Sequence, residues 1–299
     1  MPPPRPAPAY TTALGRAYHG DALDILRRQR ADSVSLVLTS PPFALRRQKA
    51  FGNVDASEYV EWLWPFAEEI FRILRPDGSF VLDLGGGWNP GSGTRSLYQY
   101  EVLLRLCKRF HLAQDFYWYN RSKLPTPAEW VTIRRTRVKD AVHTIWWLSK
   151  TEEPQADNRR VLRPYSRSMR RLLRNGYEPA LRPSQHEIGP HFRRDNGGAI
   201  PPNLLDIPNT CSNDDYIRRC RAAGLPVHPA RFPAALPEFF IRFLTEPGQL
   251  VLDPFAGSNV TGLAAERLGR RWLSVEINAD YVAGSRLRFD RAKRAEEAA

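Results

Sequence analysis

Five short apolar runs constrain the fold of this chain more than any other feature: residues 34–39 (VSLVLT), 79–84 (SFVLDL), 144–149 (TIWWLS), 249–253 (QLVLD) and 272–276 (WLSVE). Each is nearly continuous in apolar or β-branched residues and bounded by turn residues. That composition suits strands covered on both faces, not strands with one face in water. Helical patterns lie between them. Over 57–74, Ser57 stands as an N-cap. Val60, Leu63, Trp64, Ala67, Ile70, Phe71 and Leu74 follow on one stripe, and Pro76-Asp77-Gly78 stops it. Residues 236–245 and 260–268 also read as helices. A last helix starts at Ala279 and carries Arg286, Arg288 and Arg291 towards its C-terminal end, where cations suit the dipole. Strands alternating with helices predict an α/β fold with a doubly wound, mostly parallel sheet.

The length of 299 residues suits one large α/β domain with an inserted module. Residues 1–12 open with the Pro-rich MPPPRPAPA, which lacks the apolar segment of a signal peptide and predicts a disordered tail. The strand–helix alternation occupies 13–150 and 226–299. Between them, 151–225 is rich in Arg and Pro and has weak periodicity. That is too long for an ordinary loop and reads as an inserted recognition module. Lys and Arg number 44 against 32 Asp and Glu, a net charge of +12. Such a balance favours polyanions, either nucleic acid or an anionic membrane surface, and the predominance of Arg favours phosphate and base-edge contacts. No apolar run approaches the ~18 residues of a spanning helix. Cys107, Cys211 and Cys220 are few, irregularly spaced and without a CxxC pair. Neither a zinc site nor a disulfide framework is suggested, and a reducing, cytoplasmic setting fits.

Two strand ends carry chemistry. The first is Thr39-Ser40-Pro41-Pro42-Phe43, a hydroxyl, two prolines and an aromatic ring held in a rigid turn. The second is Asp253-Pro254-Phe255-Ala256-Gly257-Ser258-Asn259, a small-residue loop entering a helix. Small residues allow close approach of the backbone to a ligand, and a helix N-terminus offers N–H groups to a carboxylate or phosphate. Glu276 ends the next strand, about 20 residues on, where an acidic side chain can accept both ribose hydroxyls. The loop has neither the Lys of a Walker loop nor GxGxxG. A compact adenosine cofactor with an amino-acid carboxylate, S-adenosylmethionine, fits best. Each feature has a plainer reading. Ser-Pro-Pro-Phe alone could end a strand, Asp253 could cap a helix, Asp21 with Asp24 could begin one, and Glu276 could be a surface carboxylate. Trp146, Trp147 and His228 read as structural, and Gly85-Gly86-Gly87 as a mobile loop.

TSPPF and DPFAGSN resemble motifs IV and I of amino-group DNA methyltransferases, in the permuted order of the beta class. The likeness extends to GDALDIL at 20–26, FYWYNRSKLPTPAEW at 116–130, DNGGAIPPNLL at 195–205 and HPARFPAALPEFFIRFL at 228–244. Together these resemble the PvuII-type cytosine-N4 methyltransferases over nearly the whole chain. The resemblance implies the S-adenosylmethionine-dependent methyltransferase fold. The target-base half is then 13–150, the cofactor half 226–299, and 151–225 stands where the family carries its target recognition region. It places Asp21 and Ala22 at the adenine, Phe255 in the cofactor pocket, and Ala256, Gly257, Ser258, Asn259 and Thr261 around the methionine end. Pro229 and Phe232 belong to the segment that closes over that end. Asn259 departs from the family's commonest residue there, glycine; Asn tolerates left-handed backbone angles.

In this reading Ser40 Oγ and the Pro41 carbonyl accept hydrogen bonds from the target amine, Pro41 and Pro42 preorganise them, and Phe43 stacks on a flipped base. No metal is required. None of the three cysteines follows a proline, as carbon-5 methylation would require. Ser at position 40 favours cytosine-N4 over adenine-N6. A non-catalytic basic nucleic-acid-binding module and an RNA substrate are the remaining alternatives. Double-stranded DNA is the expected partner, met by Arg46, Arg47 and Lys49, by Arg134, Arg135, Arg137 and Lys139, and by the arginines Arg159, Arg160, Arg163, Arg167, Arg170 and Arg171 of the inserted module. A bacterial or phage origin and a restriction endonuclease partner are what the family suggests; the oligomeric state is unreadable.

Overall fold

A computed structural model describes residues 6–44, 54–176, 194–210 and 214–290. Its strands are β1 (Tyr10–Thr11), β2 (Gly15–His19), β3 (Val34–Thr39), β4 (Leu74–Leu84), β5 (His111–Tyr119), β6 (Val142–Ser149), β7 (Leu204–Asp206), β8 (Leu250–Asp253) and β9 (Arg271–Glu276). They form one sheet in the order β1-β2-β9-β8-β3-β4-β6-β5-β7. The run from β2 to β4 is parallel throughout, β6 is antiparallel to both neighbours, and β1 is antiparallel to β2. The helices are α1 (Ala22–Arg27), α2 (Tyr59–Ile73), α3 (Tyr98–Leu106), α4 (Arg167–Asn175), α5 (Asp215–Ala222), α6 (Ala235–Leu244), α7 (Val260–Arg267) and α8 (Ala279–Arg286).

The sheet is covered on both faces, as its continuous apolar strands require. Successive side chains of a strand point to opposite faces. In β6, Trp146 and Leu148 join a core with Leu63, Phe66 and Ile70 of α2, while Trp147 between them meets Phe243 of α6. Both tryptophans are buried core residues. Connections leave β8 for β9 in one direction and β3 for β4 in the other, so the order reverses between β8 and β3. In open α/β sheets that reversal opens a crevice beyond the carboxyl ends of the strands.

Three local readings need correction. The N-terminal segment is not disordered up to residue 12. Tyr10 is a buried strand residue, its ring lies against Trp272 and Phe289, and its hydroxyl bonds Ser285 Oγ at 2.7 Å. The stripe on α2 is shifted: Tyr59, Phe66 and Ile73 are buried, while Trp64 and Phe71 lie partly exposed beneath the guanidinium groups of Arg105 and Arg109. Cation–π contact makes those positions serviceable for aromatic rings. Ser57 does not cap α2; its hydroxyl donates to Asp55 and the helix begins at Tyr59.

The chain divides into two compact units, Met1–Ala156 with Asn203–Ala299, and Asp157–Pro202. The segment 203–225 therefore belongs with the sheet and not with the inserted region: Leu204–Asp206 is an edge strand, and α5 packs against α8. Within the smaller unit, Asp157 caps a short 3-10 turn at Asn158–Val161, Arg163 bridges Ala199, and Ser166 caps α4 through the Met169 N–H. No helix among the described residues is long and apolar enough to cross a membrane.

Candidate active site

The reversal point holds a cavity of about 760 Å³ in the larger unit. Strand register explains what lines it. Leu36 and Val37 of β3 pair with Val251 and Leu252 of β8, which brings the Ser-Pro-Pro turn beside the Asp-Pro-Phe loop. Thr39 pairs with Leu82 of β4, so Ser40 falls next to Asp83, and His19 pairs with Glu276. Two stretches 214 residues apart are joined directly by the Thr39 hydroxyl, which donates to Asp253 Oδ1 at 2.6 Å.

At one end of the cavity lies a chain of polar contacts. Ser40 Oγ donates to Asp83 Oδ2 at 3.0 Å. Asp83 Oδ1 lies 3.4 Å from His143 Nδ1, and both atoms are buried with no hydrogen-bond partner among the described residues, each facing the other across that gap. On the far side of the ring, His143 Nε2 is 3.1 Å from Lys123 Nζ. An ammonium can only donate, so it fixes Nε2 as the acceptor and leaves the imidazole proton on Nδ1, towards Asp83. Phe43 meets the His143 ring edge-on at 5.7 Å. It sits where a Cβ on Gly85 would come within 2.5 Å of its ring, so a side chain there would displace Phe43. Tyr59 Oη donates to the Pro42 carbonyl at 2.7 Å and pins the turn from below.

The other end is built from strand ends and the glycine loop. Glu276 Oε2 accepts from the Gly257 N–H at 2.9 Å and Oε1 from the Asn278 N–H at 2.9 Å; burial raises its pKa. Gly257 has φ +51°, and a Cβ there would meet the His228 ring at 2.9 Å. His228 is itself buried, edge-on to Tyr281, with Nδ1 2.6 Å from the Ala230 carbonyl, and burial lowers its pKa to about 4. It is a neutral wall of the loop. Phe255 packs against Phe66 and Trp62 at 5.0 and 5.7 Å, making an aromatic side to the cavity. Asp21 caps α1 through the Leu23 N–H at 2.7 Å, as its plainer reading has it, and lines the cavity with Ala22.

The residues singled out in the sequence separate into two layers. Asp21, Ala22, Ser40, Pro41, Pro42, Phe43, Pro229, Phe232, Phe255, Ala256, Gly257, Ser258 and Glu276 all line the cavity. Asp253, Asn259 and Thr261 stand behind it. Asp253 accepts from Thr39, from Thr261 Oγ1 at 2.7 Å and from the Phe255 N–H. Asn259 takes the left-handed conformation at φ +55°, accepts from the Gly262 N–H and Ser274 Oγ, and donates to Tyr10 Oη. Gly85 and Gly86 are part of the wall. Asp83, His143 and Lys123 were not legible as site residues. The signal for Asp83 was a carboxylate interrupting an apolar run one residue from its end. Of the basic residues assigned to DNA, Arg134 lies over Trp130 and donates to Glu129, Arg137 donates to the Gly93 carbonyl, and Lys139 to those of Arg121 and Lys123. Arg135 is exposed on the same segment. Arg46, Arg47, Lys49 and Cys211 lie outside the described residues.

An open sheet whose reversal point joins a carboxylate-rimmed glycine loop to a hydroxyl–carboxylate pair defines an α/β methyltransferase. Comparisons with known proteins give its family. The DNA methylase model N6_N4_Mtase matches residues 34–286. The type II methyltransferase M.PvuII of Proteus hauseri is 54% identical over 287 residues, 94% of this chain and 85% of that protein. M.ScaI of Streptomyces caespitosus is 25% identical over 282 residues, 92% and 81% of the two chains. Among solved structures, the cytosine-N4-specific PvuII DNA methyltransferase superposes with a TM-score of 0.78 at 48% identity, covering 95% of this chain and 89% of that one. The M1.HpyAVI–SAM complex shares the fold, with a TM-score of 0.52 at 18% identity over 92% and 99%. The chain belongs to the N6/N4 DNA methylase family.

Proposed function

We propose that this enzyme methylates the N4 amine of a cytosine flipped out of double-stranded DNA, with S-adenosylmethionine as the methyl donor. The observation that carries the reading is the Ser40–Asp83 hydrogen bond at one end of a cavity whose other end is the Glu276–Gly257 loop. The residues present fit the donor: the left-handed Gly257 leaves backbone in place of a side chain at the wall, Phe255 offers an apolar ring, and Asp21 and Glu276 offer carboxylates to polar hydrogens. Bound there, the donor supplies an electrophilic methyl group on a sulfonium.

The chain's own residues do the rest. An exocyclic amine is a poor nucleophile because its lone pair is delocalised into the ring. Ser40 Oγ has its proton committed to Asp83, so it presents a lone pair to an amine N–H. The second N–H has the Pro41 carbonyl as its acceptor. These bonds favour the pyramidal amine, and they are preorganised by the two prolines and by Tyr59. With the donor bound, its S–CH3 bond would break as the N–C bond forms, the electron pair staying on sulfur as a thioether, and the amine nitrogen, now carrying the positive charge, loses an N–H proton. That proton passes to Ser40 Oγ while the serine proton passes to Asp83 Oδ2, so the relay ends on a carboxylate. His143, its tautomer set by Lys123, orients that carboxylate. Phe43 presents its ring to the flipped base. Arg134, Arg135, Arg137, Lys139 and the arginines of Asp157–Pro202 contact DNA, the latter as the recognition region. The type II designation of M.PvuII supports a cytoplasmic enzyme paired with a restriction endonuclease.

The test is incubation with labelled donor and genomic DNA, followed by nucleoside analysis. N4-methylcytosine is the expected product; N6-methyladenine, or label entering RNA and not duplex DNA, would overturn the substrate. Ser40→Ala should lower turnover by about 10²-fold or more while donor affinity stays nearly unchanged. Glu276→Ala should abolish donor binding in calorimetry.

A further inference from the structure

The sheet has a second cavity, of about 860 Å³, at the opposite end of the same strands, where β2, β8 and β9 begin. Buried Ile25 and Trp272 line it together with four exposed arginines, Arg16, Arg28, Arg30 and Arg271, and among the described residues no Asp or Glu does. Three of its neutral polar side chains are already engaged within the protein. Thr12 Oγ1 donates to Glu266, behind the wall, Ser33 Oγ donates to the Arg30 carbonyl and Gln29 Nε2 to that of Ile25. Arg271 is oriented by one bond, from Nε to the Gly248 carbonyl at 2.9 Å, which leaves its terminal N–H groups for a ligand. Arg28 and Arg30 follow the C-terminus of α1, where cations suit the helix dipole. Arg16 and Arg271 stand on strands and have no such reason to be there.

We infer that this cavity is a second, non-catalytic site for the sugar-phosphate backbone of DNA. Guanidinium forks match phosphate oxygens in pairs, and a cavity offering those of Arg16, Arg30 and Arg271, with no carboxylate among its described lining residues, selects by negative charge rather than by base identity. β2, β8 and β9 hold 5, 4 and 6 residues. At about 3.3 Å per residue, the two cavities open about 13–20 Å apart, on opposite edges of the sheet. A duplex presented to the catalytic cleft addresses the carboxyl edge, so the strand held by these arginines belongs to a different DNA segment. The enzyme can then grip two segments at once and pass between them while searching.

The inference rests on DNA being the substrate, and the experiment separates the two. Wild type and the Arg16→Glu/Arg30→Glu variant are titrated with a short duplex carrying no methylation site, stoichiometry is read by sedimentation, and affinity is followed against salt. Methyl transfer to a single-site duplex is measured in parallel. Wild type should take up two duplexes per chain and the variant one. The log–log salt slope of the second binding event should vanish, or fall by about 0.9 for each phosphate that is no longer neutralised. Methyl transfer at saturating DNA should be retained, which also shows that the variant is folded. Retained transfer with unchanged stoichiometry and slope would overturn this site alone; absent transfer in the wild type would overturn the substrate. Inorganic pyrophosphate provides the last arm. If it binds the wild type stoichiometrically and the variant not at all, while a second duplex never binds, the cavity takes a small phosphate compound and the DNA assignment fails.

Discussion

Asp253 holds the active site together without lining it. Its three accepted bonds join β3, β8 and α7, and complete burial raises its pKa from 3.8 to about 6. The folded chain therefore binds a proton that the unfolded chain has released, and the stability owed to this group falls as pH rises from 3.8 to about 6. His228 has the opposite sign. Burial lowers its pKa from 6.5 to about 4, so across that interval the unfolded chain holds the extra proton and stability rises with pH. The two slopes oppose one another in nearly the same window. Asp253→Asn should expose the rising slope of His228, and His228→Gln the falling slope of Asp253, in thermal midpoints measured from pH 4 to 7. In the proposed relay Asp83 takes the proton of Ser40. Asp83→Asn should cut turnover by about 10²–10⁴-fold with donor affinity nearly intact, as removal of a proton acceptor does.

At the scale of elements, the loop between β8 and α7 shows what one side chain can do: Asn259 ties it to α7, β9 and β1 through Gly262, Ser274 and Tyr10. Asn259→Gly keeps the backbone freedom and loses those bonds, so it should lower stability by about 1–3 kcal/mol in urea unfolding. The strands that build the site were legible because they are buried on both faces. β3, β8 and β9 match the apolar runs to within a residue or two. β5 was not, because its exposed first half, HLAQ, reads as polar. β1 was missed because it has two residues and follows a run of prolines, and β2 because its sequence, GRAYH, carries no apolar run. The two site motifs were legible as peptides. The Ser40–Asp83–His143–Lys123 chain was not, because it joins four separate segments whose proximity depends on the pairing of β3, β4 and β6.

At the scale of the molecule, the net charge of +12 is unevenly used. Several arginines of the larger unit are tied into packing: Arg288 donates to Ser258, Arg72 to three carbonyls, and Arg270 to Thr245. In α4, by contrast, Arg167, Arg170, Arg171 and Arg174 recur at helical spacing on a helix with no buried residue. Replacing Arg170 and Arg171 by Ala should leave donor binding unchanged. The salt slope of specific DNA binding should fall by about 0.9 for each phosphate these side chains neutralise, or site preference should relax where an arginine reads a base. The 214 residues that separate Thr39 from its partner Asp253 also bear on how the enzyme is made. As the polypeptide leaves the ribosome, the serine turn emerges early and stays half a site until β8 and β9 arrive and slot in alongside β3. Prematurely terminated products would carry the target turn and Asp21 but lack the Glu276–Gly257 end of the cavity, so unfinished copies are expected to be inert towards the genome.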